Sequence, residues 1–496
     1  MKRFAFFLVL TFLFLYVSLS LFRQSGIEPK VPSRWFGSST EEWPSKDADG
    51  ALQSNEDSHL PDTGFPPPPG DEDDISIPKP NADLPNHDDE DPPVELPERP
   101  PPTGDSSSIE HTNAGSSSLT PNHLEIFSQS TSDRKYFTID FGSKQAINPN
   151  ILPHPTLDNT WIVVAQEDRD KKSDEFVEIV CDAMFDQDVL RCLDEPVALP
   201  IAPTSGANCQ GELEFFNLNQ GPHDARVFFG PEHSYAVYGS NSAFACFGQF
   251  IQDFATLRGW KDNNDGEETV FQAGTELQRP APWGAIEKNW FLFWDANNQP
   301  YVHYDILPQR VFAQVGPDGS VGDNLAPETA SADQKCFERY MPEPASEKES
   351  IHQATNSLLV TLCRRSEPSC VADDDNTFII TIFQHKTFYN FHSVYEPYIM
   401  AFRRNAPFQA HGVSRRPLWI SGRQVHADEG TSDMLYITSM SWKSREQRYH
   451  GFIDDEMFLT FGIEDEKSGG IDILAGDLIG ELGLCSGPKG QLSRTG

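Results

Sequence analysis

No cysteine occurs before Cys181 in the 496-residue chain, no Cys-x-x-Cys pair occurs anywhere, and there is no Asn-x-Ser/Thr sequon. The first absence excludes disulfides from the N-terminal third. The second argues against a zinc ribbon or a thioredoxin-like redox motif. The third removes any expectation of N-linked glycan. Also missing are a Gly-rich phosphate loop, a Ser nucleophile elbow and zinc-ligand spacing. Basic residues are scarce, 38 Lys and Arg against 75 Asp and Glu, for a net charge of −37. A chain this acidic is not built for nucleic acid, whose binding is dominated by phosphate neutralisation. Segments with a 3.6-residue apolar period are few, the clearest running from Ala243 to Leu257, so the helices of an α/β nucleotide-binding fold are not in sight.

What is present starts with an apolar run from Phe4 to Phe22, preceded by Lys2 and Arg3 and closed by Arg23. At about 1.5 Å per residue such a helix spans roughly 30 Å, the hydrocarbon thickness of a bilayer. The run is longer than the core of a signal peptide, and Ser18-Leu19-Ser20 is a poor cleavage site, so a signal anchor with a cytoplasmic N-terminus is expected. Residues 41–125 then hold 21 Asp or Glu against three Lys or Arg, with Pro66 to Pro69 among them. Such a stretch cannot bury enough apolar surface to offset its chain entropy, and its charges repel. The expected organisation is a tail over 1–3, a transmembrane anchor over 4–22, a disordered stem over 23–130, a β-rich domain over 131–490 and a short tail over 491–496. All eight cysteines, Cys181, Cys192, Cys209, Cys246, Cys336, Cys363, Cys370 and Cys485, follow the stem. An even count in an exported domain suggests up to four disulfides. The pairing is open, although Cys363 and Cys370 are the easiest to join.

From Tyr136 onward, aromatic and β-branched runs recur: Trp161 to Ala165, Tyr235 to Tyr238, Tyr301 to Tyr304, Phe378 to Phe383 and Met457 to Gly462. These read as strands. Polar clusters alternate with them at Asn148-Pro-Asn, His223 to Arg226, Glu287 to Asn289, His352 to Asn356 and Ser439 to Lys443. Five repeats of cluster, turn and strand fit an all-β, five-bladed β-propeller, whose inner strands would bring the clusters to one axial pocket. A β-sandwich with ordinary polar loops is the alternative.

The clusters also resemble those of glycoside hydrolase family 130. Asn148-Pro-Asn-Ile followed by Trp161-Ile-Val-Val is similar to its opening blade, and Gly221-Pro-His-Asp-Ala-Arg to its Gly-x-Glu-Asp-Pro-Arg segment. Glu287-Lys-Asn-Trp is similar to its Lys-Asn-Trp segment, Phe383-Gln-His385 to its Tyr-His-Gly blade, and Phe461-Gly-Ile-Glu-Asp465 to its last blade. The resemblance runs in order over most of 140–485. It implies β-mannoside chemistry with inversion. The family and its relatives include phosphorylases, hydrolases and eukaryotic β-mannosyltransferases of the Golgi. From it we expect a luminal glycosyltransferase moving mannose from a nucleotide sugar to a glycan. An inverting β-mannoside hydrolase or phosphorylase is the alternative, and a non-catalytic carbohydrate-binding propeller a third reading.

Asp224 matches the residue that acts as general acid in the family, a role needing a carboxyl that keeps its proton in a secluded pocket. The chain departs from the pattern on either side of it, with His223 for Glu and Ala225 for Pro. Arg226, Lys288 and His385 would hold a phosphate or diphosphate leaving group by charge-assisted hydrogen bonds. Asp465 would take a sugar hydroxyl, with His223, Asn148 and Asn289 on the inner rim. Each has an ordinary alternative: Asp224 salt-bridged to Arg226 in a turn, Lys288 and His385 paired with local carboxylates, Asp465 a solvated hairpin acid, the asparagines turn formers. Trp283, Trp290, Trp294 and Trp442 would suit either sugar stacking or core packing. A metal-dependent reading through Asp373 to Asp375 or Asp454-Asp455 is weaker, because both sit in turns before strands. Neither a metal nor another cofactor is expected; the expected partners are a sugar phosphate or nucleotide sugar, a glycan acceptor and, through the anchor, a membrane.

Overall fold

The computed structural model describes residues 122–486, apart from 169–174, 219, 261–269, 390–391, 427 and 429. The expected anchor, most of the stem and the C-terminal tail lie outside the described residues. Among the described residues, no helix is long and apolar enough to cross a membrane.

Strand succeeds strand in five groups. After a short strand at Leu124–Ile126, which pairs parallel with Leu418–Ile420, the chain makes β1 (Phe137–Asp140) and then forms sheet I from β2 (Ala146–Pro153), β3 (Trp161–Glu167), β4 (Glu178–Asp186) and β5 (Val189–Cys192). Sheet II holds β6 (His223–Phe229), β7 (Ser234–Asn241), β8 (Phe247–Asp253) and β9 (Thr275–Glu276), and sheet III holds β10 (Phe291–Trp294), β11 (Pro300–Asp305) and β12 (Val311–Gln314). In sheet IV, β13 (Glu349–Gln353) and β14 (Leu358–Thr361) both pair with the long β15 (Thr377–Tyr389), which continues through β16 (His392–Arg403) to β17 (Ala410–Ser414). Sheet V holds β18 (Leu435–Trp442), β19 (Glu456–Ile463) and β20 (Lys467–Leu474). Strand β1 closes the last sheet: it pairs antiparallel with β20, Phe137 opposite Gly470, and parallel with β5 of sheet I, Thr138 opposite Val189.

Buried polar side chains latch each sheet to the next. Asn150 donates to the Ala225 carbonyl at 2.8 Å and accepts from the Val227 N–H at 3.0 Å, joining sheets I and II. Gln249 accepts from the Trp290 N–H at 3.2 Å, and the Ser357 hydroxyl donates to the Leu292 carbonyl at 2.6 Å. Asn356 exchanges two bonds with Met440, each 3.0 Å, between sheets IV and V. The Thr460 hydroxyl donates to the Pro149 carbonyl at 2.6 Å, returning to sheet I. A buried amide is costly unless paired, so each latch fixes a register between sheets as well as satisfying its own atoms. Five sheets joined in sequence, with the last joined to the first, are consistent with a five-bladed β-propeller.

Between the latches the sheets pack face to face. Trp161, Phe185 and Phe458 meet between sheets I and V, with Trp161 edge-on to both other rings at 5.3 and 5.8 Å. Phe293, Phe402 and Phe408 pack edge to face between sheets III and IV at 5.2 and 5.1 Å. The first eight residues of β15 are buried without interruption, since neighbouring sheets cover both its faces. Helix α1 (Ala330–Tyr340) lies against sheet IV and is tied to the chain end by Cys336–Cys485. The remaining bridges are Cys181–Cys192, Cys209–Cys246 and Cys363–Cys370, so all eight cysteines are paired.

The helical period read over Ala243 to Leu257 gives way to a strand. Residues Phe247–Asp253 form β8 between β7 and β9, and only Phe254–Arg258 turns helical, with Asp253 capping Thr256 N–H at 2.6 Å. Two strand neighbours outweigh a local periodicity that a helix alone would have to support.

Candidate active site

The inner strands begin at one end of the ring, and a residue at or near the start of three of them lies in the left-handed region. Asn148, Asp224 and Asn289 have φ of 55°, 51° and 62°, and Asp465, at the tip of the β19–β20 hairpin, has 51°. Asn and Asp are the non-glycine residues that tolerate this conformation best. At Asn148 and Asp224 the cause is a β-bulge: register shifts between Ile147 and Asn150 in β2, and between His223 and Arg226 in β6. A bulge re-aims its side chain out of the ladder, here toward the axis.

The carboxylate of Asp224 accepts the Asn148 amide at 2.8 Å, and its own backbone N–H donates to Gln166 Oε1 at 2.9 Å. Arg226 is buried and returns one bond from Nη1 to the Asp224 carbonyl at 3.0 Å and another from Nε to Ala354 O at 3.0 Å. Its guanidinium stacks 5.8 Å from the Tyr436 ring centre. Beside Asp224 opens a shallow recess lined by His223, Arg226, Lys288, Asn289 and Ala354, with Phe247, Gln249 and Trp290 forming its walls.

The titrating groups here are perturbed, each for a physical reason. Glu178 lies wholly buried under the bulge, where Oε1 accepts the Ala225 N–H at 3.1 Å and Oε2 has no partner. Burial pushes its carboxyl up to about 8, the nearby Asp224 adding to the rise, so near neutrality it carries a proton. Asp465 is pushed up to about 6 by burial and then by Asp224 and Glu464, against the pull of Lys386. Lys386 is drawn down to about 8 by burial and by Lys288. Burial, with Lys386 and Lys288 nearby, takes His352 to about 3, and burial takes His223 to about 4, so both imidazoles are neutral. Arg226 and Lys288 line the recess with Asp224, and Lys386 lies near Lys288 and Asp465.

The structure thus brings Asn148, His223, Asp224, Arg226, Lys288, Asn289 and Asp465 to one end of the axis. It places His385 elsewhere: Nε2 bonds Glu349 Oε2 at 2.9 Å on the edge of sheet IV. Alternation along β15 lets only one of two adjacent residues face the axis, and Lys386 is that residue. The fifth polar cluster does not reach the site either. Lys443 lies past the far end of β18, bonded to Glu456 at 2.6 Å and Asp472 at 2.7 Å. Sheet V contributes Tyr436 and Asp465 in its place. Glu178 and Gln166 were not among the candidates, because each sits within a strand with no motif around it; His352 opens the fourth polar cluster, and Lys386 directly follows His385. Trp290, Trp294 and Trp442 are core residues, while Trp283 is 45% exposed.

The acidic pairs read as possible metal ligands are occupied otherwise. Asp454 accepts the Arg365 N–H at 2.6 Å, Asp455 pairs with the Arg365 guanidinium at 2.8 Å, and Asp374 pairs with Arg404 at 2.7 Å. Among the described residues no group of three His, Cys, Asp or Glu is disposed to hold a metal ion.

A ring of β-sheets with an amide-held carboxyl at its axis and cations beside it has the character of a β-propeller. No protein-family model and no characterised protein matches the chain by sequence. Among solved structures, it is similar to a β-1,2-mannobiose phosphorylase from Listeria innocua, with TM-score 0.38, 11% identity, and 70% of this chain and 93% of that chain covered. A second is described with the family 130 enzymes that target β-1,2-mannosidic linkages in Candida mannan, with TM-score 0.36, 12% identity, and 71% and 95% covered. A third is an arabinanase from Bacillus subtilis, with TM-score 0.33, 8% identity, and 67% and 95% covered. All three are carbohydrate-active enzymes by name; the fold described here rests on the chain's own strand pairing.

Proposed function

We propose that the chain is a carbohydrate-active enzyme that breaks or makes a β-mannosidic bond by single displacement, with a phosphate-bearing second substrate. The observation that carries the reading is the placing of Lys288 and Lys386 beside Asp224 and Asp465. A hydrolase has no anion to hold, and two lysines near one another in a largely buried site repel; burial first, and then Lys288, draws Lys386 down. Such a pair is tolerated where an anion sits between them in use. In the forward direction a phosphate oxygen attacks the anomeric carbon from the face opposite the leaving sugar. The C–O bond to that sugar breaks, and its oxygen takes the proton that an axial carboxyl supplies. Asp224 is the carboxyl we assign to this, held in place by Asn148 and the bulge. Asp465, still half protonated near pH 6, orients a sugar hydroxyl beside it. Arg226 positions the Asp224 backbone rather than the phosphate, since its bonds go to two carbonyls.

Transfer from a nucleotide sugar, as expected from the sequence, is the second reading, because the same lysine pair would hold a diphosphate. The four disulfides favour an oxidising compartment, and we retain the proposal of a membrane-anchored, luminal Golgi enzyme. The test is to incubate the protein in EDTA with β-1,2-mannobiose and either phosphate or no phosphate, and separately with GDP-mannose and mannoside acceptors. Phosphate-dependent cleavage lost in Lys288→Met and Lys386→Met supports phosphorolysis. Cleavage indifferent to phosphate and to both lysines would make it a hydrolase. Product only from GDP-mannose would make the second reading the right one.

A further inference from the structure

Around the mouth of the recess the surface turns aromatic. The short helix Gly211–Leu218 carries Leu213, Phe215, Phe216 and Leu218, and none of its residues is buried. Phe244, in the β7–β8 turn, is 40% exposed, and Trp283, in the segment leading into β10, is 45% exposed. Strand direction puts all three segments at one end of the ring. Residues His223 and Asn289 stand at the start of inner strands at this end, and the β7–β8 turn lies there too, since His223 pairs with Gly239 and Phe247 with Asn241.

This rim is continuous with the recess. Phe247 lines the recess and touches both sides, its ring 5.2 Å from His223 and 5.4 Å from Phe216. The Glu287 N–H donates to the Phe247 carbonyl at 2.8 Å, which sets Trp283 on the same shoulder as Lys288. The rim is also rigid. Cys209–Cys246 and two bonds between Asn217 and Cys209, at 3.2 and 2.9 Å, pin the short helix. The Trp283 indole N–H donates to the Arg279 carbonyl at 2.8 Å, and Arg279 pairs with Glu287 at 2.6 Å. Trp283 meets Phe244 edge-on at 5.6 Å. With its N–H satisfied and nearly half of its surface exposed, the indole offers apolar surface to a ligand. A fixed aromatic plane beside a polar pocket suits the C–H face of a pyranose, whose hydroxyls stay in water.

We propose that Trp283 and Phe244, with Phe216 beyond Phe247, form an outer sugar subsite that holds residues of a glycan chain further from the reacting bond. The substrate is then an oligosaccharide or polymer end rather than a free disaccharide. This rests on the carbohydrate reading of the recess. The experiment is calorimetric titration of the described domain, in the intact chain, with β-1,2-linked manno-oligosaccharides of two and of five residues. Trp283→Ala should weaken the pentasaccharide about tenfold and the disaccharide much less, while Trp283→Phe restores most of the difference. Near-ultraviolet circular dichroism checks that the variants are folded. Equal losses for both lengths, or an undiminished pentasaccharide, would overturn the subsite while leaving the carbohydrate reading standing. No binding of either sugar by the unmodified protein would overturn both.

Discussion

Replacing Glu178 by Gln should stabilise the protein, and by an amount that grows with pH. A carboxyl that titrates near 4.5 when unfolded is raised to about 8 in the folded protein by its burial. Between those values the folded state holds a proton that the unfolded state has lost, so stability falls as pH rises, by about 1.4 kcal/mol for each pH unit. At pH 7 the wild type has given up on the order of 3 kcal/mol and by pH 8 about 4, and the loss levels off near about 5 above that. Gln keeps the acceptor for the Ala225 N–H, which lies at 3.1 Å, and never ionises. Its NH2 replaces Oε2, which has no partner, at a pH-independent cost of about 1 kcal/mol. Urea unfolding at pH 5, 7 and 8.5 should therefore show the variant close to wild type at pH 5 and more stable by about 2 kcal/mol at pH 7. The difference should be larger at pH 8.5. A difference that does not change with pH would refute the assignment of a neutral Glu178. A variant that grows less stable with pH would mean that Glu178 is ionised and pairs with Arg226.

Further outcomes follow from the same geometry. A Cβ on Gly462 would stand 2.7 Å from Asn148 Oδ1, so Gly462→Ala should displace the amide that holds Asp224. Because the neighbour is a side-chain tip, turnover should drop tenfold or more while the thermal midpoint moves by only a few degrees. Lys386, drawn down to about 8, is charged below that pH and neutral above it. The KM for phosphate should accordingly rise on the alkaline side, and Lys386→Arg should remove that limb of the profile. Cys336–Cys485 closes 149 residues of chain and Cys363–Cys370 only seven. On chain entropy alone, removing the first bridge should cost about 5 kcal/mol and removing the second about 2, measurable as the difference in unfolding midpoints between Cys→Ser pairs.

Much of this site could be read from the chain because its bulges leave marks. Asn148 and Asp224 interrupt apolar strands with residues that accept a positive φ, and Asn289 does the same before β10. Lys288 was legible as part of the polar cluster Glu287 to Asn289. Glu178 was not: it stands in a strand that reads as buried β-structure, and only the folded ring puts the bulge of another sheet above it. Lys386 and His385 differ by one position, and the face each takes depends on the register of β15 with β13, Ile351 opposite His385, which no local pattern encodes. Ser439 to Lys443 misled because polarity alone does not say which end of a strand lies at the axis. The latching amides, Asn150, Gln249 and Asn356, likewise look like scattered strand polars until their partners on the next sheet are in place.

The most direct measurement follows the anomeric configuration of the product. The protein and its Asp224→Asn variant are mixed with β-1,2-mannobiose and phosphate in EDTA, and the sugar phosphate formed is observed by proton and phosphorus magnetic resonance. Single displacement at an Asp224-centred site predicts α-mannose 1-phosphate from the β-linked substrate, appearing without metal and vanishing in the variant. A β-configured product, or cleavage that survives loss of the Asp224 carboxyl, would contradict the account.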